Sequence, residues 1–97
     1  MNYKIYQITN YGEECKYKFE WWDWAKEQFN FDRDYSLVYE GEIKAETSSI
    51  STLEKLFEIF NIDHPADFRG HSLSVSDVVE LDGVKYYCDS HSWVKLD

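Results

Sequence analysis

The sequence predicts an α+β fold, a small, mainly antiparallel sheet carrying two packed helices, in a single domain spanning residues 1–97. Three observations lead there. An alternating run opens the chain at Tyr3 to Ile8, an apolar stripe of helical spacing runs from Leu53 to Phe60, and Asp82-Gly83 separates two β-prone runs. Ninety-seven residues suffice for one hydrophobic core and not for two.

The elements follow in order. Tyr3, Ile5 and Gln7 alternate with Lys4, Tyr6 and Ile8, and the turn-prone Thr9-Asn10-Tyr11-Gly12 ends this first strand. From about Tyr17 to Asn30 the spacing becomes helical. Trp22, Ala25 and Phe29 share one face with Trp21 beside it, Glu20, Asp23 and Glu27 form an acidic outer stripe, and Trp24 lies between. After the polar Asp32-Arg33-Asp34, the β-branched and aromatic content of Tyr35 to Ile43 reads as a strand, with Gly41 marking a bulge or its end. Ser51-Thr52-Leu53-Glu54 has the form of a capping box, and Leu53, Leu56, Phe57 and Phe60 then supply a stripe that must be covered. Asn61 suits the helix end.

Pro65 holds His64 out of helical geometry, and Gly70 gives a flexible joint. Ser72, Ser74 and Ser76 alternate with Leu73 and Val75, which is strand periodicity. Asp82-Gly83 between Val78–Leu81 and Val84–Cys88 predicts a two-residue hairpin in which Glu80 faces Lys85. Trp93 and Leu96 anchor a last short segment. The predicted core contains Leu53, Leu56, Phe57, Phe60, Val79, Leu81 and Tyr87.

Composition narrows the function. Lys and Arg number 10 against 19 Asp and Glu, a net charge of −9, which repels phosphate backbones and favours basic partners, so direct nucleic-acid binding is not expected. No apolar run reaches the roughly 18 residues of a membrane helix. Cys15 and Cys88 follow no secreted spacing and nothing at the N-terminus has the pattern of a signal peptide, so both are read as cytoplasmic thiols.

Site chemistry is sparse. His71, Ser72 and Asp77 offer a base, a nucleophile and an orienting carboxylate, but within seven residues and without a nucleophile elbow, which argues against catalysis; structural hydrogen bonding is the better account of them. Asp63, His64, Asp67, His71, Cys88 and His91 contain one Cys-x-x-His pair, short of the matched pairs of structural zinc. No glycine-rich phosphate loop is present, and no cofactor or metal is expected. Arg69 is read as a structural bridge to Asp67 or Asp77.

The acidic residues near the tryptophans form the best binding candidate: Glu20, Trp21, Asp23, Trp24, Glu27, Asp32 and Asp34. Carboxylates spaced on a helix can imitate phosphates to a basic groove, and exposed tryptophan supplies anchoring area. A solvated helix face explains the same carboxylates without a partner.

One string carries a resemblance. Gly70-His-Ser-Leu-Ser-Val-Ser-Asp-Val-Val79, followed by Tyr86-Tyr-Cys-Asp-Ser90, resembles the core of the YodL-like family of small domains from Firmicutes, and the likeness extends from Tyr3–Ile8 through Phe60-Asn61 to the last strand. Ser92-Trp93 stands where the family usually has Gly-Phe. The resemblance implies a small cytoplasmic bacterial domain, found alone or in proteins of mobile elements, with one member associated with the actin-like cytoskeleton. Charge and this context together lead to a non-enzymatic protein-binding inhibitor, of the anti-restriction or anti-CRISPR kind, that occludes the basic surface of a nucleic-acid-handling nuclease. A regulator of an actin-like filament is the second expectation, and a small hydrolase using His71, Ser72 and Asp77 the third.

Overall fold

A computed structural model of the protein describes residues 1–96. In chain order the elements are β1 (Asn2–Ile8), α1 (Trp22–Ala25), α2 (Phe31–Asp34), β2 (Tyr35–Glu42), α3 (Ser49–Ile62), β3 (Val78–Leu81), β4 (Val84–Cys88) and β5 (Trp93–Lys95). The strands form one antiparallel sheet in the order β2-β1-β3-β4-β5, so the fold is the expected α+β.

The alternation in β1 sorts two cores to the two faces of the sheet. Tyr3 and Ile5 join Val79, Leu81, Tyr86, Cys88 and Trp93 beneath Leu53, Leu56 and Phe60 of α3. Aromatic edges knit this side: the Phe60 ring lies 4.9 Å from Phe68 and 6.0 Å from Tyr3. On the other face Ile8, Val78 and Tyr87 are covered by the segment between β1 and β2, through Tyr17, Ala25, Trp22 and Phe29. That cover stops short of one end of the sheet. There Glu40, Lys4, Glu80 and Lys85 lie opposite one another on four successive strands, a row of alternating charge. Lys85 Nζ and a Glu80 carboxylate oxygen approach to 3.2 Å, in the expected pairing.

Local signals locate several elements and misplace others. The stripe from Leu53 to Phe60 is in α3, with Phe57 only partly buried, and the Asp82-Gly83 turn has both residues at positive φ, 44° and 89°, as a type I′ hairpin requires. The helix begins earlier than the capping box suggested. Ser48 is the cap, its Oγ accepting from the Ser51 amide at 3.1 Å, while the Glu54 carboxylate accepts from Trp93 Nε1. Replacing Ser48 with alanine leaves that amide without its partner and is expected to cost about 1 kcal/mol, lowering Tm by roughly 4–8 °C in thermal unfolding followed by circular dichroism.

Two further expectations are corrected. The helix from Tyr17 to Asn30 is reduced to the single turn of α1, with turns on either side. Trp21 caps it without a side-chain hydrogen bond, Phe19 adopts φ 68°, and burial of Trp22 and Phe29 against Tyr87 fixes the backbone instead. The predicted inner face survives: Ala25 is buried, and the Trp22 ring lies 4.8 Å from Tyr87. The serine-rich run is not a strand. The Asp77 carboxylate accepts from the Ser74 amide at 2.9 Å and Asp77 N–H donates to the Ser74 carbonyl at 3.0 Å, closing a turn, so β3 starts only at Val78. The bulge in β2 falls at Val38, while Gly41 stands at the strand's end, the other of its two expected roles, since β2 stops at Glu42. Ile5 pairs with Tyr39 and Tyr6 with Leu37, whereas Gly41 makes room for the Tyr3 ring, whose hydroxyl oxygen would lie 2.9 Å from an added Cβ.

Candidate functional site

The segment from Thr9 to Asp34 carries the largest exposed apolar side chains near one another in sequence, and its backbone is tied down at several points. Tyr17, fully buried, donates to the Asp34 carboxylate at 2.6 Å and accepts from the Asn30 amide at 3.1 Å. Asn10 Nδ2 reaches the same carboxylate at 2.7 Å, and the Arg33 guanidinium meets both oxygens, at 2.7 and 2.9 Å. Farther along, the Tyr87 hydroxyl donates to the Glu20 carbonyl at 2.6 Å and the Trp22 amide donates to the Asp89 carboxylate at 3.1 Å. These bonds stitch an irregular stretch to the sheet, where a helix's own ladder would otherwise have satisfied the backbone.

Asp34 therefore leaves the list of surface acids. It is wholly buried, and three side chains consume its acceptor capacity. Burial alone would push its pKa up, but the hydrogen bonds from Arg33, Tyr17 and Asn10 outweigh that and hold it down to about 2. Tyr17 is correspondingly raised by burial and by the neighbouring carboxylate.

The other six predicted binding residues lie on one segment. Asp23, Glu27 and Asp32 are exposed, Glu20 is half-buried, and Trp21 and Trp24 show 59% and 47% of their surface. Trp21 caps the single turn of α1 and Trp24 lies within it, the Trp24 amide donating to the Trp21 carbonyl. Tyr11 and Phe19, at 77% and 55% exposure, belong to the same surface and were not singled out by sequence reasoning. No periodicity marks them, because they sit in irregular backbone. Lys18 Nζ lies 4.5 Å from the Tyr11 ring centre and 5.2 Å from that of Phe19, a cation held between two rings. A shallow recess of about 250 Å³ opens between Phe19, Glu20, Trp21, Val75 and Ser90.

Phe19 is positioned by the serine-rich string. Its amide donates to Ser76 Oγ at 2.9 Å, and both residues have positive φ, 68° and 82°, a conformation costly for side chains of this size. Ser76 is held by its amide to the Cys88 carbonyl and by the Tyr35 hydroxyl on its own carbonyl. The Phe19 ring meets His71 edge-on at 6.0 Å.

Beneath His71 lies a buried polar joint. Gln7 Nε2 spends its two hydrogens on the His71 carbonyl at 2.9 Å and Asp77 Oδ2 at 3.1 Å. His71 Nδ1, 2.7 Å from the Ser72 carbonyl, must then carry a proton, which turns the lone pair of Nε2 toward Asp77 Oδ1 at 3.8 Å. Two acceptors face each other unless a further proton lies between them. Burial pushes the Asp77 carboxyl up to about 7 despite the bonds from the Ser74 amide and Gln7. His71 is bonded to the carbonyl of Ser72 and not to its hydroxyl, so the three residues named for hydrolysis do not form a hydrogen-bonded relay.

The remaining candidates are dispersed. Arg69 Nη1 donates to the carbonyls of Ala66 and Phe68, stiffening its own turn instead of bridging to Asp67 or Asp77; the Asp67 carboxylate accepts from the Tyr39 hydroxyl. Cys88 is buried, and burial raises its thiol to about 12. Among the described residues, no three of His, Cys, Asp and Glu group as metal ligands would, and no helix is long and apolar enough to cross a membrane.

Sheet, helix and pinned excursion define a small α+β domain with an aromatic, carboxylate-framed surface as its most distinctive exposed feature. Residues 2–97 match the YodL-like domain, and the chain belongs to that family. No curated protein and no solved structure gives a match.

Proposed function

We propose that this is a non-enzymatic, cytoplasmic protein-binding domain that inhibits a nucleic-acid-handling partner by covering its basic surface, as an anti-restriction or anti-CRISPR protein of a mobile element would. The observation that carries the reading is the exposure of Trp21 and Trp24 on a pinned turn beside Asp23 and Glu27. Rigid aromatic side chains lose little entropy on docking, and flanking carboxylates steer a basic surface toward them. The Asp23–Lys26 pair, 3.7 Å apart and exposed, is too weakly held to withhold Asp23 from a partner.

The test is affinity capture from a bacterial lysate at low and high salt, followed by competition with duplex DNA for the captured protein. Wild type is expected to retain a nucleic-acid-handling protein that DNA displaces. Trp21→Ala with Trp24→Ala should weaken capture at any salt by about tenfold or more, the scale of lost aromatic anchors. The triple charge reversal of Glu20, Asp23 and Glu27 to Lys should weaken it chiefly at low salt. Capture that survives both sets of changes overturns this surface as the binding site. Recovery of a filament subunit, insensitive to salt and to DNA, supports the cytoskeletal alternative instead.

A further inference from the structure

The two edges of the sheet differ. β5 has three residues, whereas β2 has eight, and among the described residues only β1 pairs with β2. Met1 and Ile43 exchange both backbone bonds, Ile43 N–H to the Met1 carbonyl at 2.9 Å and the Met1 amino group to the Ile43 carbonyl at 2.7 Å. In an antiparallel ladder such pairs alternate with pairs whose amides and carbonyls point outward. Gly41 and Tyr39 therefore face β1, while Glu42 and Glu40 direct their backbone groups away from the sheet. Beyond the Val38 bulge the phase resets: the Thr9 amide bonds to the Asp34 carbonyl, which turns the backbone of Leu37 outward as well. Leu37 is 45% exposed, an apolar side chain beside an open row of donors and acceptors.

We propose that this edge receives an extended basic segment of another protein by strand addition, extending the sheet beyond β2. An open edge offers backbone bonds to any chain, and the side chains beside it set the preference. Here Glu40 and Glu42 flank the outward amides, and the hollow next to them, about 540 Å³, is lined by these two and by Glu80 and Asp82 against the single cation Lys4. A second copy of this chain is the poorer occupant, since each carries a net charge of −9 and would bring the same carboxylates to the same edge. The aromatic surface is elsewhere, its recess lying against Val75 and Ser90 beside β3 and β4, so this inference stands apart from the function proposed above.

The test uses a blocked peptide alternating lysine with valine, and a twin of the same sequence N-methylated at every backbone nitrogen, which keeps the charge but has no N–H for the ladder and is held off the edge by its methyl groups. Hydrogen exchange by NMR is expected to show the Glu40 and Glu42 amides exchanging rapidly in the free protein and protected by the first peptide only. Glu40→Pro removes one outward N–H, a change that edge strands tolerate, and should weaken binding about tenfold. If that variant misfolds, amide protection in the wild type still decides. Equal binding of both peptides, binding without protection at Glu40 and Glu42, or a dimer formed through this edge overturns the proposal.

Discussion

Asp34→Ala is expected to destabilise the domain by about 2–3 kcal/mol, because it leaves the buried Tyr17 hydroxyl without its acceptor and the Asn10 amide and the solvent-facing Arg33 guanidinium without the carboxylate they share. Denaturant titration measures this directly; a loss below about 1 kcal/mol would mean that solvent replaces the carboxylate freely. Asp34→Asn should cost less, since one oxygen still accepts. The same carboxylate sets an acid limit. Its folded pKa lies below the unfolded value, so its stabilisation is complete above about pH 4 and disappears as pH falls toward 2, a change of about 2 kcal/mol. The site depends on this clasp, since Tyr17 holds down the segment that presents Phe19, Trp21 and Trp24.

Asp77 has the opposite sign. Its folded pKa of about 7 is above the unfolded value, so the folded state binds the extra proton between about pH 4 and 7, and stability contributed by the protonated carboxyl is lost as pH rises through 7. The decline is expected to be on the order of 4 kcal/mol across that window. Asp77→Asn keeps an acceptor for the Ser74 amide and Gln7 and places an N–H toward His71 Nε2, supplying by covalent structure what the proton supplies in wild type. This variant should show nearly flat stability from pH 5 to 8 and exceed wild type at pH 8. An unchanged pH profile would place the titrating group elsewhere.

The parts legible in the sequence are those whose causes are local. Asp82-Gly83 supplies the positive φ that its hairpin needs, and Leu53, Leu56 and Phe60 repeat at the period of the helix they form. Where a distant group decides, the local pattern misleads. Ser72 to Ser76 alternates like a strand, yet a carboxylate one residue beyond folds the run into a turn. Asp32 and Asp34 look equivalent, and only the fold distinguishes them: α2 exposes the first and turns the second onto Tyr17. Tyr11 and Phe19 carry no periodic signal, since hydrogen bonds to remote residues place them. Trp21 and Trp24 were legible because bulky aromatics among carboxylates suggest a surface even when the helix beneath is mispredicted.

The strand order also governs how the chain can be made. β1 lies between β2 and β3, and Tyr3 meets Leu81 across the ladder. During synthesis the first strand leaves the ribosome early and finds β2 soon afterwards, but its other flank stays open until β3 has emerged. Such distant pairing slows folding, because a long loop must close before contacts compensate. Until then Ile5 and Tyr3 lack the Val79 and Leu81 side of their core, and the nascent chain carries an apolar strand paired on one flank only. A ribosome stalled just before β3 should accordingly display a protease-sensitive chain, and one stalled after Lys95 has cleared the exit tunnel a resistant domain.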